Sequence, residues 1–96
     1  MKNKQLFYQS FLQLKTEDEV KRYLRDLLTQ QEIDEFSERL AVANMLNNNM
    51  TYVEIERRTA MSSATIARVS KWLKNGRRGY KLVLHRLHTP KVYLHL

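Results

Sequence analysis

The sequence predicts an all-α protein, and three observations carry that expectation. Only two Gly and one Pro stand among 96 residues, too few turn breakers for an all-β fold with its frequent tight turns. Apolar residues recur at i, i+3, i+4 and i+7 along much of the chain, the spacing of one helix face. Three segments begin Thr-x-x-Glu, at Thr16, Thr29 and Thr51. In this capping box the threonine oxygen accepts a free backbone N–H and the glutamate reaches back.

The elements follow in order. Phe7, Phe11 and Leu14 repeat at i, i+4, i+7, so a first helix is expected over Gln5 to Leu14. Thr16-Glu17-Asp18-Glu19 opens a second helix over about 17–28, its acids favoured at the positive end of the helix dipole. Val20, Tyr23, Leu24, Leu27 and Leu28 form its apolar stripe. Thr29-Gln30-Gln31-Glu32 opens a third, with Ile33, Phe36, Leu40, Ala43 and Leu46 expected inward. Asn47-Asn48-Asn49 ends it, because Asn competes for backbone hydrogen bonds and tolerates the left-handed conformation. A fourth helix runs from about 52 to 59 with Val53 or Ile55 inward. Ser62 and Ser63 offer N-cap oxygens for a fifth, from about Ala64 to Lys74, with Ile66, Val69 and Leu73 buried. Asn75-Gly76 stops it. A sixth is expected over Tyr80 to Leu87, where Leu82-Val83-Leu84 implies burial on more than one side, and Thr89-Pro90 closes it. The last residues, Lys91–Leu96, alternate and have no assigned element.

The length fits one domain. Such a chain buries roughly 65 % of the surface that it exposes when unfolded, and oligomerisation is an ordinary remedy for so small a core. No cysteine is present, which excludes disulfides, thiolate metal sites and cysteine nucleophiles. Glycine is too scarce for a Gly-rich phosphate loop. No secretory h-region and no apolar run near the roughly 20 residues of a membrane span is found, so a soluble, cytoplasmic protein is expected.

Charge is divided unevenly. Residues 1–49 hold seven Lys/Arg and eight Asp/Glu, whereas residues 50–96 hold ten Lys/Arg and two acids, Glu54 and Glu56. One face built for a polyanion is the expectation; the plainer reading is a solvated basic surface.

The span from Thr51 to Leu73 reads as a short capped helix, a tight turn and a second helix. Ile55, Met61, Ile66 and Val69 sit where a helix-turn-helix holds its two helices together, and the second helix would lie in the DNA major groove. Ser62, Ser63, Thr65 and Arg68 are the candidate base-reading residues. Arg68 suits the bidentate contact to guanine O6/N7, and Ser or Thr can bond base edges or touch a thymine methyl. Thr51, Lys71, Lys74, Arg77 and Arg78 are the candidate phosphate contacts. Paired helices with a short turn also occur in proteins that never touch DNA.

Several stretches carry a family likeness: Leu27-Leu28-Thr29, Glu38-Arg39-Leu40, Thr51-Tyr52 with Ile55-Glu56, and Ser63-Ala64-Thr65-Ile66-x-Arg68-Val69, continuing weakly to Leu84. They resemble the Trp repressor superfamily, and within it the Trp-repressor-related (YerC/YecD-like) branch. The resemblance implies a fully helical, intertwined homodimer whose two helix-turn-helix units reach successive major grooves of double-stranded DNA. It implies a single domain over 1–88, with dimerisation helices in 1–49, the helix-turn-helix in 51–74 and a C-terminal helix in 79–88, followed by a tail, 89–96. In Trp repressor an indole lies between two arginines, and this chain keeps arginine at both matching positions, Arg39 and Arg68. Thr29, Val69 and Trp72 are the other pocket equivalents. Val69 and Trp72 replace a glycine and a serine, and two larger side chains in a close-packed pocket leave little volume. Trp72 would then occupy or cover the ligand's place, and L-tryptophan would not serve as corepressor. The plainer reading makes Trp72 a core aromatic or a surface residue.

Other residues carry less. His85 and His88 at i, i+3 lack a third metal ligand beyond His95. Glu32, Asp34, Glu35 and Glu38 satisfy a helix dipole and solvent more simply than an acid–base role. The tyrosines are not interleaved with cations as a single-strand stacking platform requires. No catalysis and no cofactor are expected. A DNA-binding regulator, a repressor, is the leading expectation. The alternatives are a module docking an acidic protein through the same basic face, and the DNA-binding piece of a larger machine.

Overall fold

A computed structural model describes residues 1–89, and it is all-α: six helices and no strand are found among the described residues. They are α1 (Asn3–Phe11), α2 (Glu17–Leu27), α3 (Gln30–Asn47), α4 (Tyr52–Arg58), α5 (Ser63–Asn75) and α6 (Gly79–His88). Pro90, His95 and the alternating tail lie outside the described residues. The chain divides into two compact units, Met1–Phe36 and a second that begins at Ser37.

In the first unit α1 is shorter than its apolar spacing predicts, and Leu14 lies beyond it. The next helix is the cause. Thr16 must be extended (φ −132°, ψ 160°) to cap α2, accepting Glu19 N–H at 3.1 Å, so the chain leaves helical geometry first. It does so through tightened i→i−3 bonds from Leu12, Gln13 and Leu14. Glu19 reaches back one residue further than the capping box prescribes, accepting Lys15 N–H at 2.9 Å. At Thr29 the box is complete. Thr29 accepts Glu32 N–H at 3.1 Å and Glu32 accepts Thr29 N–H at 3.0 Å. Phe11 meets Tyr23 edge-on at 5.8 Å, and the Tyr23 hydroxyl bonds Ser10 at 2.6 Å.

The second unit holds the buried core: Val42 and Ala43 of α3, Ile55 of α4, Ile66, Val69 and Leu73 of α5, and Leu84 of α6. The predicted α5 stripe is as expected, and Ile55, not Val53, is the inward residue of α4. The asparagine run ends α3 through backbone geometry. Asn49 is left-handed (φ 64°), and Met50 N–H and Asn49 N–H bond the carbonyls of Met45 and Leu46, a Schellman ending with Asn in the usual glycine position.

Gly76 closes α5 for a steric reason: a Cβ there would stand 2.3 Å from the Trp72 carbonyl oxygen. The left-handed residue of this turn is Arg78 (φ 67°). Two expectations of burial need correction. Within Leu82-Val83-Leu84 only Leu84 is buried, and Phe36 and Leu40 of the α3 stripe are exposed. Apolar spacing records that a side chain seeks burial, but not how completely its neighbours in the chain cover it.

Candidate nucleic-acid interface

Thr51 begins the site. It caps α4, its hydroxyl oxygen accepting Glu54 N–H at 3.2 Å. The Glu54 carboxylate does not complete a capping box; it binds Arg57 and, at 2.8 Å, Arg58 Nε. Two of the ten cations in the basic half therefore share one carboxylate. Four residues join α4 to α5, and Thr59 holds them. Its hydroxyl donates to the Ile55 carbonyl at 2.8 Å and accepts Met61 N–H at 3.2 Å. Sequence reasoning missed Thr59, since a threonine after a short helix carries no distinctive spacing.

Ser62 caps α5, accepting Thr65 N–H at 3.3 Å, and its hydroxyl lies 3.1 Å from that of Thr65. Two of the four candidate base readers thus engage each other at the helix start, with Thr65 half-buried. Ser63 is exposed in the first turn. Further along, Ile66, Val69 and Leu73 face the core, while Arg68 and Lys71 stand on the exposed side. Ala64 and Ala67 share that exposed side. They were missed because alanine carries no chemical signal, yet a small residue allows close approach. Lys74 in the last turn of α5, then Arg77 and Arg78 past its end, continue the exposed cationic surface. None of Arg68, Lys71, Lys74, Arg77 or Arg78 takes part in the salt bridges found among the described residues.

Thr29 belongs to the first unit as the cap of α3. Arg39 and Arg68 are exposed, and Val69 is sealed in the core at 3 % exposure. Trp72 is not a core aromatic, being 56 % exposed. It lines an open groove of about 500 Å³ with Leu40, Arg77, Gly79, Tyr80 and Val83. Neither arginine of the expected sandwich lines that groove. Among the described residues no group of three His, Cys, Asp or Glu could hold a metal, and His88 Nε2 is bonded to Asn44 Oδ1 at 2.8 Å.

Two capped helices joined by a four-residue turn, braced by a third, define an all-helical helix-turn-helix protein with an unpaired cationic face. The chain belongs to the Trp repressor protein family, whose model matches residues 2–88. It is 41 % identical over 80 residues to YerC of Bacillus subtilis (strain 168), described as uncharacterized, covering 83 % of this chain and 77 % of that protein. The fold resembles the crystal structure of a TrpR-like protein from Eubacterium eligens ATCC 27750, with TM-score 0.83 and 38 % identity over 92 % of this chain and 91 % of that one. No helix among the described residues is long and apolar enough to cross a membrane.

Proposed function

We propose that this protein is a sequence-specific DNA-binding regulator, a cytoplasmic, nucleoid-associated repressor that acts as a homodimer on a two-fold symmetric site. One observation carries the reading: five cations from Arg68 to Arg78 stand exposed on α5 and its following loop with no carboxylate partner among the described residues. A surface designed only for solubility gains from interspersed charges of both signs. Membership of a family of DNA-binding regulators supports the same reading.

The roles divide by position. Arg68, flanked by Ala64 and Ala67, presents a planar donor fork to guanine, and the alanines can touch thymine methyl groups. Ser63 and the Ser62–Thr65 pair sit at the helix start, where free N–H groups and hydroxyls hold a phosphate or a base edge. Lys71, Lys74, Arg77, Arg78 and the Thr51 hydroxyl grip phosphates. Dimerisation supplies the second reading helix, and apolar side chains left exposed in each unit, such as Phe7 and Phe11 of the first and Leu40 and Val83 of the second, supply surfaces for it. Helix-turn-helix dimers place half-sites about 34–36 Å apart, one DNA turn.

The direct test is selection of binding sites from a random DNA pool, in which a palindrome is expected. Replacing Arg68 with Ala is expected to cost about 1–3 kcal/mol on that site and to relax preference at one base position. Replacing Lys74 with Ala should weaken cognate and random DNA alike. Equal losses on both DNAs for both variants would refute this partition of roles. Binding to acidic peptides with no affinity for duplex would favour the protein-docking reading.

The regulator works without L-tryptophan. The resemblance supports this: Val69 and Trp72 replace the glycine and serine of the family's ligand pocket, and larger side chains leave it less volume. Calorimetry with L-tryptophan is expected to show no micromolar site; one such site per subunit would overturn the statement.

A further inference from the structure

The cationic surface does not end at the Arg77–Arg78 loop. Two troughs lie along α6, together its channel, and Lys81 and His85 line both. The first, of about 450 Å³, begins at Arg77 and Arg78. The second, of about 480 Å³, ends at Asn47, Asn48 and Thr89. No carboxylate lines either one. Arg78, Lys81 and His85 recur at i, i+3 and i+7, which puts them on one side of the helix. At the far wall Asn44 holds the His88 ring at 2.8 Å, and the Thr89 hydroxyl lies 3.4 Å from His85 Nε2.

We propose that this channel is a second row of phosphate ligands, in which Lys81 and His85 extend the grip of Arg77 and Arg78 along the duplex backbone beyond the bases that α5 reads. The proposal rests on the DNA-binding reading above. Three features favour a nucleic-acid strand as the occupant. The channel is continuous with cations already placed at the end of the recognition helix. Its neutral member Asn47 carries an amide N–H₂ suited to phosphate oxygens. The rise of α6 puts about 10 Å between Arg78 and His85, enough for cations on one side of the helix to meet more than one phosphate of a strand. An acidic amphipathic helix would need apolar pockets for its anchors, and here Leu84 is buried at 1 % exposure, leaving only Leu82 at the edge.

The test uses the full chain with Lys81→Gln and His85→Gln together, both exposed positions, with circular dichroism and the thermal midpoint confirming an intact fold. On a random duplex of about three DNA turns, the slope of log affinity against log salt should shrink by about two, one Lys81 from each chain of the dimer. On a site selected from a random pool, hydroxyl-radical protection should vanish at the outermost sugars and persist at the centre. Lys81→Arg with His85 unchanged should retain the wild-type slope. A double variant whose slope and footprint match the wild type overturns the proposal while leaving the DNA-binding reading in place. A variant that binds duplex normally yet loses binding of poly-glutamate also overturns it, and assigns the channel to an acidic protein. Failure of the unaltered protein to bind any duplex removes both readings together.

Discussion

Raising salt from 50 to 200 mM is expected to weaken binding to duplex DNA by about 10⁴-fold. Each phosphate neutralised releases condensed counterions, and log affinity falls with log salt at about −0.9 per contact. Lys71, Lys74, Arg77 and Arg78 offer four cations per chain and about eight in the proposed dimer, hence a slope of about −7 before Lys81 is counted. Arg57 and Arg58 are left out of that sum because Glu54 already holds them. A titration by fluorescence anisotropy on a labelled duplex gives the slope directly. A response of less than tenfold over this range would show that the unpaired cations do not meet phosphates, and the functional reading would fall with them.

The second large effect concerns the scaffold under the reading face. Replacing Ile66 with Ala is expected to destabilise the protein by about 2–5 kcal/mol, the range for truncating a fully buried isoleucine and leaving a cavity. Ile66 is completely buried with Ile55 and Leu84 in the same core, so one side chain helps to hold α4, α5 and α6. Urea denaturation at fixed protein concentration measures the loss, because the stability of the proposed dimer depends on concentration. A loss below about 1 kcal/mol would mean that α5 is held by something other than this core. In a family member of this size, net stability is a small difference between large opposing terms. The same substitution should therefore lower DNA binding indirectly, although Ile66 itself faces away from the exposed side that carries Arg68.

Local chemistry made much of the fold legible in the sequence. Threonine and serine caps placed the starts of α2 to α5 within a residue, because the donors at a helix start are satisfied by a side chain close in sequence. The asparagine run placed the end of α3 for a similar reason. The stripe of Ile66, Val69 and Leu73 marked the inner face of α5, and its complement marked Arg68 and Lys71 as outward. What failed depended on competition. α1 ends early because Thr16 needs an extended conformation for the next helix, and periodicity alone does not weigh one helix against its neighbour. Glu54 abandoned its capping role for two arginines one turn away.

Composition and spacing determined on their own the helical class, the helix-turn-helix span and the cationic second half, since each follows from contacts within about four residues or from a simple count. Only the tertiary structure decided which of Val53 and Ile55 is buried, that Val69 is sealed while Trp72 opens onto a groove, and that Lys81 and His85 continue the row begun by Arg77 and Arg78. Those outcomes depend on which surfaces meet across segments distant along the chain, and an amphipathic pattern states that a face will be covered without naming what covers it.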